Sequence, residues 1–389
     1  MPDWPLVGLG EVTLKIGSGA TPRGGKDVYQ PTGVSFIRSQ NVFDNRFSFV
    51  GLARITDAAA NDLAGVAVQL GDVLIDITGE SVTRTCEVDP AVLPARVSQH
   101  VAIVRPNPTM LDAGFLVAAL LEPQAKNRLN QLSSAGATRR ALTKGHLSSF
   151  SIRLPPLEEQ RRIAGVLGAL DDLVDTNRSI SAQTADLAVA LTQVSPRRVL
   201  LSSVARAVNP QQFRAEGQVD HYSIPIFDEL RLPERVDGST VRSNKLRIAA
   251  PSVLVSRLNP QTPRVWMAYP GDVPAAASTE FLALGAKAGA TVEEVWALCA
   301  SEELAAQMRS RVTGTTGSHQ RVDKAAIPSL LVPDLAAVDP VARAAIASLV
   351  REAHASLLAA RDATATRDEL LPLLLSRLVQ VNPSKSVGV

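Results

Sequence analysis

Two similar mixed α/β domains, each followed by one long helix, make an α+β protein of this 389-residue chain. Three observations lead there. The chain repeats its own pattern at an offset of 180 residues, with Gly71-Asp72-Val73-Leu74-Ile75 over Pro251-Ser252-Val253-Leu254-Val255 and Leu142-Thr143-Lys144 over Val322-Asp323-Lys324. Inside each copy, short strand-like runs with turn signals accompany a stretch of helical periodicity. After each copy, apolar or small residues recur three and four apart over a stretch far longer than an ordinary helix.

The repeat is mainly one of apolar pattern. Val97 to Ile103 lies over Ala277 to Ala283, Phe115-Leu116-Val117 lies over Val295-Trp296-Ala297, and identities such as Ser98/Ser278 and Lys144/Lys324 are scattered. A unit this long is a duplicated domain, since solenoid repeats run to about 20–50 residues. A duplicated domain gives the molecule two similar working ends. The length suits two or three domains, and a hydrophobic content of 46% is ample for their cores although aromatics are only 4%.

The first domain spans residues 1–153. Its strand-like runs are Val34 to Arg38, Asp72 to Ile77 and His100 to Val104, and Gly114 to Leu132 carries a helical pattern. Gly17-Ser18-Gly19 and Pro22-Arg23-Gly24-Gly25 are loop chemistry. The first long helix occupies 154–195, announced by Pro155-Pro156 and the acids Glu158 and Glu159 and stopped at Ser195-Pro196. Its seam runs Ile163, Leu167, Leu170, Val174, Asn177, Ile180, Thr184, Leu187, Leu191 and Val194. The second domain, 196–333, repeats the first, with Glu293 to Val312 as the matching helix. A second long helix follows in 334–380, with Asp339 as its N-cap and a seam from Ile346 to Leu378; residues 381–389 form a tail. At about 1.5 Å per residue each long helix measures roughly 55–60 Å.

An amphipathic helix of that length needs a partner for its seam. The two can satisfy each other as an antiparallel coiled coil, related by a pseudo-twofold axis, or each can pack on its own domain. The pairing is the reading adopted.

Charge is balanced at +2, which argues mildly against a nucleic-acid partner but leaves room for a local basic patch. Cys86 and Cys299 are the only cysteines and show no metal-type spacing, so a reducing cytoplasm is expected. Met1-Pro2-Asp3-Trp4-Pro5 has neither a basic nor an apolar leader region, and no run of about 18 apolar residues predicts a membrane span. No cofactor is expected. No phosphate-binding Gly-rich loop ending in Lys-Ser/Thr is present, and Asn209-Pro210-Gln211 and Asn259-Pro260-Gln261 lack the second proline and aromatic of an adenine methyltransferase. His100, His146, His221, His319 and His354 are scattered without ligand spacing.

The segment Leu154-Pro155-Pro156-Leu157-Glu158-Glu159-Gln160-Arg161-Arg162-Ile163-Ala164 resembles the central conserved region of Type I restriction–modification specificity subunits. The opening Trp4, Leu6, Leu9-Gly10-Glu11-Val12 and the stretch Gly136 to Arg153 are similar to other parts of that family, so the resemblance covers the whole length. The second copy departs from it: Val332-Pro333-Asp334-Leu335-Ala336-Ala337 lacks the Glu-Gln pair. The resemblance implies two target-recognition domains, each reading one half of a bipartite site in double-stranded DNA. It implies helices that set the gap and dock two methyltransferase subunits, with room for restriction subunits beyond them. It implies a chain that directs adenine methylation without doing chemistry itself. The rivals are a structural adaptor with two protein-binding heads and a stand-alone DNA-modifying enzyme.

Candidate DNA contacts follow from residue type, since Arg, Gln and Asn read base edges and cations hold phosphates. One cluster is Arg139, Arg140, Lys144 and His146; its counterpart is His319, Gln320, Arg321 and Lys324. Arg38, Gln40 and Asn41 after a strand, the loop with Arg23 and Lys26, Thr83-Arg84 and Arg257-Leu258-Asn259 are further candidates, each equally at home in an ordinary turn. Leu157, Glu159, Gln160, Ile163, Leu167 and Leu170 are the expected docking residues for a partner subunit.

Overall fold

The computed structural model describes residues 4–134, 140–312 and 320–379. The chain forms two compact units, Met1–Leu173 with Ala363–Val389, and Val174–Asp362.

In the first unit the order is β1 (Leu6–Gly8), α1 (Leu9–Val12), β2 (Thr13–Ser18), β3 (Tyr29–Ile37), β4 (Val42–Phe43), β5 (Arg46–Phe47), β6 (Ala53–Ile55), α2 (Asp57–Asp62), β7 (Val73–Asp76), β8 (Thr85–Glu87), β9 (Ala95–Val97), β10 (Val101–Pro106), α3 (Ala113–Leu121), α4 (Pro123–Ser134), α5 (Lys144–Ser149) and β11 (Ser151–Arg153). The chain then enters α6 (Leu157–Thr192), a helix of 36 residues. The central antiparallel sheet runs β2-β10-β7-β8. Val73, Ile75, Ala102 and Val104 on one face pack with Phe115, Leu116 and Leu120 of α3. Leu74, Val101 and Ile103 on the other face join a second cluster with Ile37 and Val97. Both faces are covered, so these strands read as continuous apolar runs instead of alternating ones. A three-stranded sheet, β6-β3-β9, and the ribbon β1-β11 complete the domain.

The second unit contains β12 (Arg198–Leu200), α7 (Leu201–Val204), β13 (Ala205–Val208), β14 (Gln212–Phe213), β15 (Gln218–Tyr222), α8 (Ile224–Leu230), β16 (Glu234–Asp237), β17 (Lys245–Ile248), β18 (Ser252–Ser256), β19 (Val265–Ala268), β20 (Ala275–Ala277), β21 (Phe281–Ala286), α9 (Val292–Cys299), α10 (Glu302–Arg309), β22 (Leu331–Pro333) and α11 (Pro340–Leu375). Its sheet β13-β21-β18-β19 has the same plan, and the register carries the 180-residue offset: Val101 pairs with Asp76, and Phe281 with Ser256. A ribbon, β12-β22, again joins the domain's two ends, and a five-stranded sheet, β14-β17-β20-β15-β16, replaces the three-stranded one.

Two helices expected as single pieces are each broken. Gly114 to Leu132 divides at Glu122 and Pro123, because a proline disfavours helical backbone in the residue before it; Glu122 sits at ψ 132. Glu293 to Val312 divides where Ser301 caps a new start, its hydroxyl accepting from Leu304 N at 3.3 Å.

The long helices begin where their sequence signals lie, and Asp339 accepts from Val341 N at 2.8 Å. In the first unit the start of α6 meets the end of α11: Ile163 and Leu167 share a core with Leu371 and Leu374, and Asp171 pairs with Arg367 at 2.7 Å. In the second unit the end of α6 meets the start of α11, with Ala188 and Leu191 clustered with Ile346, Leu349 and Val350. In each unit the two helices therefore run antiparallel. The buried stripe differs from the seam read from the sequence. Ser181 and Ala188 are buried, whereas Ile180 and Leu187 are 38% and 50% exposed. Ala353, Ser356 and Ala360, buried on α11, are equally small.

Candidate nucleic-acid interface

Each central sheet ends in a loop after its third strand in sheet order, and each loop is held by the same hydrogen bonds. In the first unit Gly79 N donates to Arg140 O at 3.1 Å and Leu142 N to Ile77 O at 2.9 Å. In the second, Asn259 N donates to Gln320 O at 2.9 Å and Val322 N to Arg257 O at 3.0 Å. Isolated bridges, Thr78 with Ala141 and Leu258 with Arg321, repeat the offset once more. Gly79 and Asn259 both take positive φ, 80° and 49°, the left-handed turn that Gly and Asn tolerate. The two polar clusters of the sequence thus lie against equivalent loops.

Their side chains are not equally disposed. Arg139 and His319 lie outside the described residues. Arg140 donates to Asn130 of α4, and its buried Nε has no hydrogen-bond partner among the described residues. Lys144 and Lys324 are exposed at equivalent places. Gln320 is half-buried and contributes its backbone to the loop. Arg321 is bound bidentately to Glu280, at 3.1 and 3.0 Å, and Arg257 approaches the same carboxylate at 3.5 Å. Arg321, with Arg257 and Lys324 behind it, holds the Glu280 carboxyl below the usual range. A lowered folded-state value stabilises the fold above the unfolded value of about 4.3 and loses that contribution as pH falls through the folded value. The melting temperature of Glu280→Gln should therefore lie below wild type near neutral pH and converge with it as the medium is acidified. A constant difference across the titration would mean that the ion pair carries no pH-dependent stability.

Position 100 is the first-unit counterpart of Glu280, and it is His100. Here a cleft of about 540 Å³ opens, lined by Arg38, Ser39, Gln40, Arg84, Ser98 and His100 among others, none of them a carboxylate. Beneath it Asp76 is fully buried and accepts from Ser39 Oγ at 2.9 Å. Burial raises the Asp76 carboxyl above its ordinary value, against the opposing effect of the Ser81 and Ser39 hydroxyls. Ser98 is 5% exposed, and among the described residues its hydroxyl has no hydrogen-bond partner. The Arg84 guanidinium lies 4.8 Å from the Phe43 ring centroid, with Arg46 also over that ring at 5.0 Å. Arg23 and Lys26 lie exposed in the β2–β3 loop. Asn41 is wholly buried, its Nδ2 donating to the carbonyls of Ser48 and Val50. Arg38 and Gln40 both donate to Gly51 O, at 2.8 and 2.9 Å.

The start of α6 turns inward. Gln160 is fully buried: its Oε1 accepts from Asp112 N at 2.9 Å, and its Nε2 donates to Met110 O at 2.9 Å and Pro155 O at 2.8 Å. Ile163 and Leu167 belong to the domain core. Leu157, Glu159 and Leu170 stay partly exposed, with Glu159 paired to Arg162. Gly114 leaves room for the helix, since a Cβ there would lie 3.2 Å from Ala164 Cβ, a tight contact. In the second copy the position of Gly114 is taken by Glu294, which binds Arg343 of α11 at 2.6 and 3.0 Å. An ion pair replaces the glutamine lock, and this is where the missing Glu-Gln pair is made good.

Ser98 and His100 carry no signal by residue type, only their place in the repeat. The apolar tip Phe49-Val50 likewise carries none by residue type. Among the described residues no group of three or more His, Cys, Asp or Glu could hold a metal, and no helix is long and apolar enough to cross a membrane. Both cysteines are buried and free, their thiols pushed up to about 12 by burial.

Comparisons with known proteins agree with this architecture. Residues 1–184 match the model of the Type I restriction modification DNA specificity domain. A protein of Methanocaldococcus jannaschii named as the MjaX type I restriction enzyme specificity subunit is 25% identical over 178 residues, 45% of this chain and 41% of that one. The HindI specificity subunit of Haemophilus influenzae is 25% identical over 192 residues, 49% of this chain and 40% of that one. The chain thus spans less than half the length of the curated relatives it matches. The crystal structure of the Type I restriction–modification S subunit from M. genitalium aligns over 98% of this chain and 97% of that one, with a TM-score of 0.57 and 13% identity, a likeness of fold. Over residues 1–184 the chain is similar to the Type I restriction–modification DNA specificity domain and to the specificity subunits that carry it.

Proposed function

We propose that the chain is the non-catalytic DNA-specificity subunit of a Type I complex, in which each unit reads one half of a bipartite site. The observation that carries this is the doubled loop: equivalent loops, tied by equivalent hydrogen bonds at a 180-residue offset, stand at the sheet ends of both units. Two similar folded frames bearing different side chains suit two different half-sites. His100 stands where the other copy has Glu280, and Arg84 lines a cleft where its counterpart Arg264 is locked onto Asp228 at 2.7 Å. Base edges supply the specificity and phosphates most of the affinity.

In this reading α6 and α11 set the gap between half-sites and dock two methyltransferase subunits. Leu157, Glu159 and Leu170 offer the partly exposed side of the α6 start, and restriction subunits join through those partners. A second cavity in the first unit, about 920 Å³, is bordered by Asp44, Glu87, Asp112, Asp171, Asp172 and Asp368 against Lys126 and Arg367, and this excess of carboxylates suits a protein segment better than DNA. The purified chain neither methylates nor cuts DNA.

The test is co-expression with the methylating subunit of the same system, followed by mapping of N6-methyladenine. The expected result is a two-part motif whose halves change independently when either domain is replaced. Four residues inserted beside Ser181 add about 6 Å of helix, or one to two base pairs of gap at roughly 3.4 Å each. Methylation by the chain alone, or a motif with no gap, would overturn the reading.

A further inference from the structure

The loop between β5 and β6 turns its apolar residues outward. Val50 is 82% exposed and Phe49 is 47% exposed. A loop that only joins two strands has no need of a fixed shape, yet this one is tied at every residue. Arg38 and Gln40 donate to Gly51 O, the buried Asn41 side chain donates to Ser48 O and Val50 O, and Ser48 N donates to Asn41 O at 2.8 Å. Gly51 holds the turn at φ 65°, and a Cβ there would meet Gln40 Nε2 at 2.6 Å. The Phe49 ring stands edge-on to Phe47, centroids 5.1 Å apart. Polar side chains that residue type alone would send to a base are spent instead on holding an apolar tip rigid.

The neighbourhood indicates what the tip meets. Arg38 and Gln40, which hold the loop, also line the 540 Å³ cleft, together with Arg84 and His100 and without a carboxylate. The buried Ser98 hydroxyl, unpartnered among the described residues, lines the same cleft. A cationic cleft with spare hydrogen-bonding capacity, flanked by a rigid apolar tip, complements a polyanion whose grooves carry both polar edges and methyl groups. We propose that Phe49 and Val50 form the apolar DNA contact of the first unit, set against base edges while the adjoining cleft takes polar groups of the same half-site. This rests on the DNA-reading role proposed above. In the second unit β15 and β16, which stand where β3 and β6 do, are joined by a shorter segment built around α8 (Ile224–Leu230) and have no such loop, so the contact belongs to one half-site alone.

The test uses the full chain and a short fluorescent duplex of random sequence, with anisotropy read at low and moderate salt. Val50→Asp should weaken binding about tenfold at low salt, by bringing a carboxylate into the negative field of the duplex, and Val50→Lys should bind at least as well as wild type. Val50 is exposed enough that neither change disturbs folding, which a melting curve verifies. In cells, Phe49→Ala with the methylating subunit should relax the methylated motif in one half and leave the other intact. Wild-type affinity in Val50→Asp, or an unchanged motif in Phe49→Ala, overturns the proposal. Equal loss of both halves, with co-purification of the methylating subunit abolished, also overturns it, because the tip would then be a protein contact. A wild-type chain that binds no duplex defeats the DNA-reading role itself, an outcome distinct from a wild-type chain that binds and a Val50→Asp chain that binds equally.

Discussion

Gln160→Ala should destabilise the first unit by about 3 kcal/mol and lower its melting temperature by roughly 6–12 °C. The side chain is fully buried and satisfies three backbone groups, Asp112 N, Met110 O and Pro155 O. Truncation leaves all three without a partner in a place water does not reach, and each orphaned group costs about 1–3 kcal/mol in principle, reduced where the site relaxes. Gln160→Glu gives no rescue: one oxygen can still accept from Asp112 N, but the other is set against two carbonyls. Denaturant unfolding measures the loss, and a midpoint equal to that of Glu159→Ala would mean that the buried bonds contribute nothing net. This differs from what residue type suggests for the Glu-Gln pair, a surface for a partner. The glutamine is the screw that fixes the helix to the domain, and only its neighbours remain outside.

Glu294→Ala should cost the second unit about 3 kcal/mol. Glu294 is 1% exposed, caps its own helix through Thr291 N at 2.8 Å, and binds Arg343 bidentately. Removing it strands a guanidinium that is itself only partly exposed, 27% by side chain. Arg343→Ala added to Glu294→Ala should recover part of the loss, because the stranded charge is gone; a double-mutant cycle reads the coupling. Strict additivity of the two single changes would show that the helix is held by its apolar contacts alone.

The frame of this protein was legible because it is written in periodicities. The offset set by Val73/Val253 and Lys144/Lys324 reappears in strand register and in the loop hydrogen bonds. The proline and acid signals at Pro155 and Pro340 mark both long helices to within two residues. What was not legible depends on distance in space. Nothing local to Gln160 says that the Asp112 turn will arrive beside it, and Gly114 matters only because Ala164 lies opposite. Ile180 and Leu187 outrank Ser181 and Ala188 on hydrophobicity, yet the small residues are the buried ones. Arg38, Gln40 and Asn41 have base-reading chemistry, but they sit where a loop backbone needs donors first.

The two-stranded ribbons have a consequence for inheritance. β1 pairs with β11 through Leu6 and Arg153, and β12 with β22 through Arg198 and Pro333. Each domain therefore enters and leaves through one narrow doorway, with its two chain ends side by side. Such a body is a cassette: a genetic exchange with one crossover in each strand of a ribbon replaces an entire head and leaves both helices, with their Gln160 and Arg343 fastenings, in the recipient. The incoming head need only bring a matching fastening, the Met110–Asp112 turn for Gln160 in one socket and Glu294 for Arg343 in the other. Under the DNA-reading role proposed above, a new specificity is then acquired whole, by recombination.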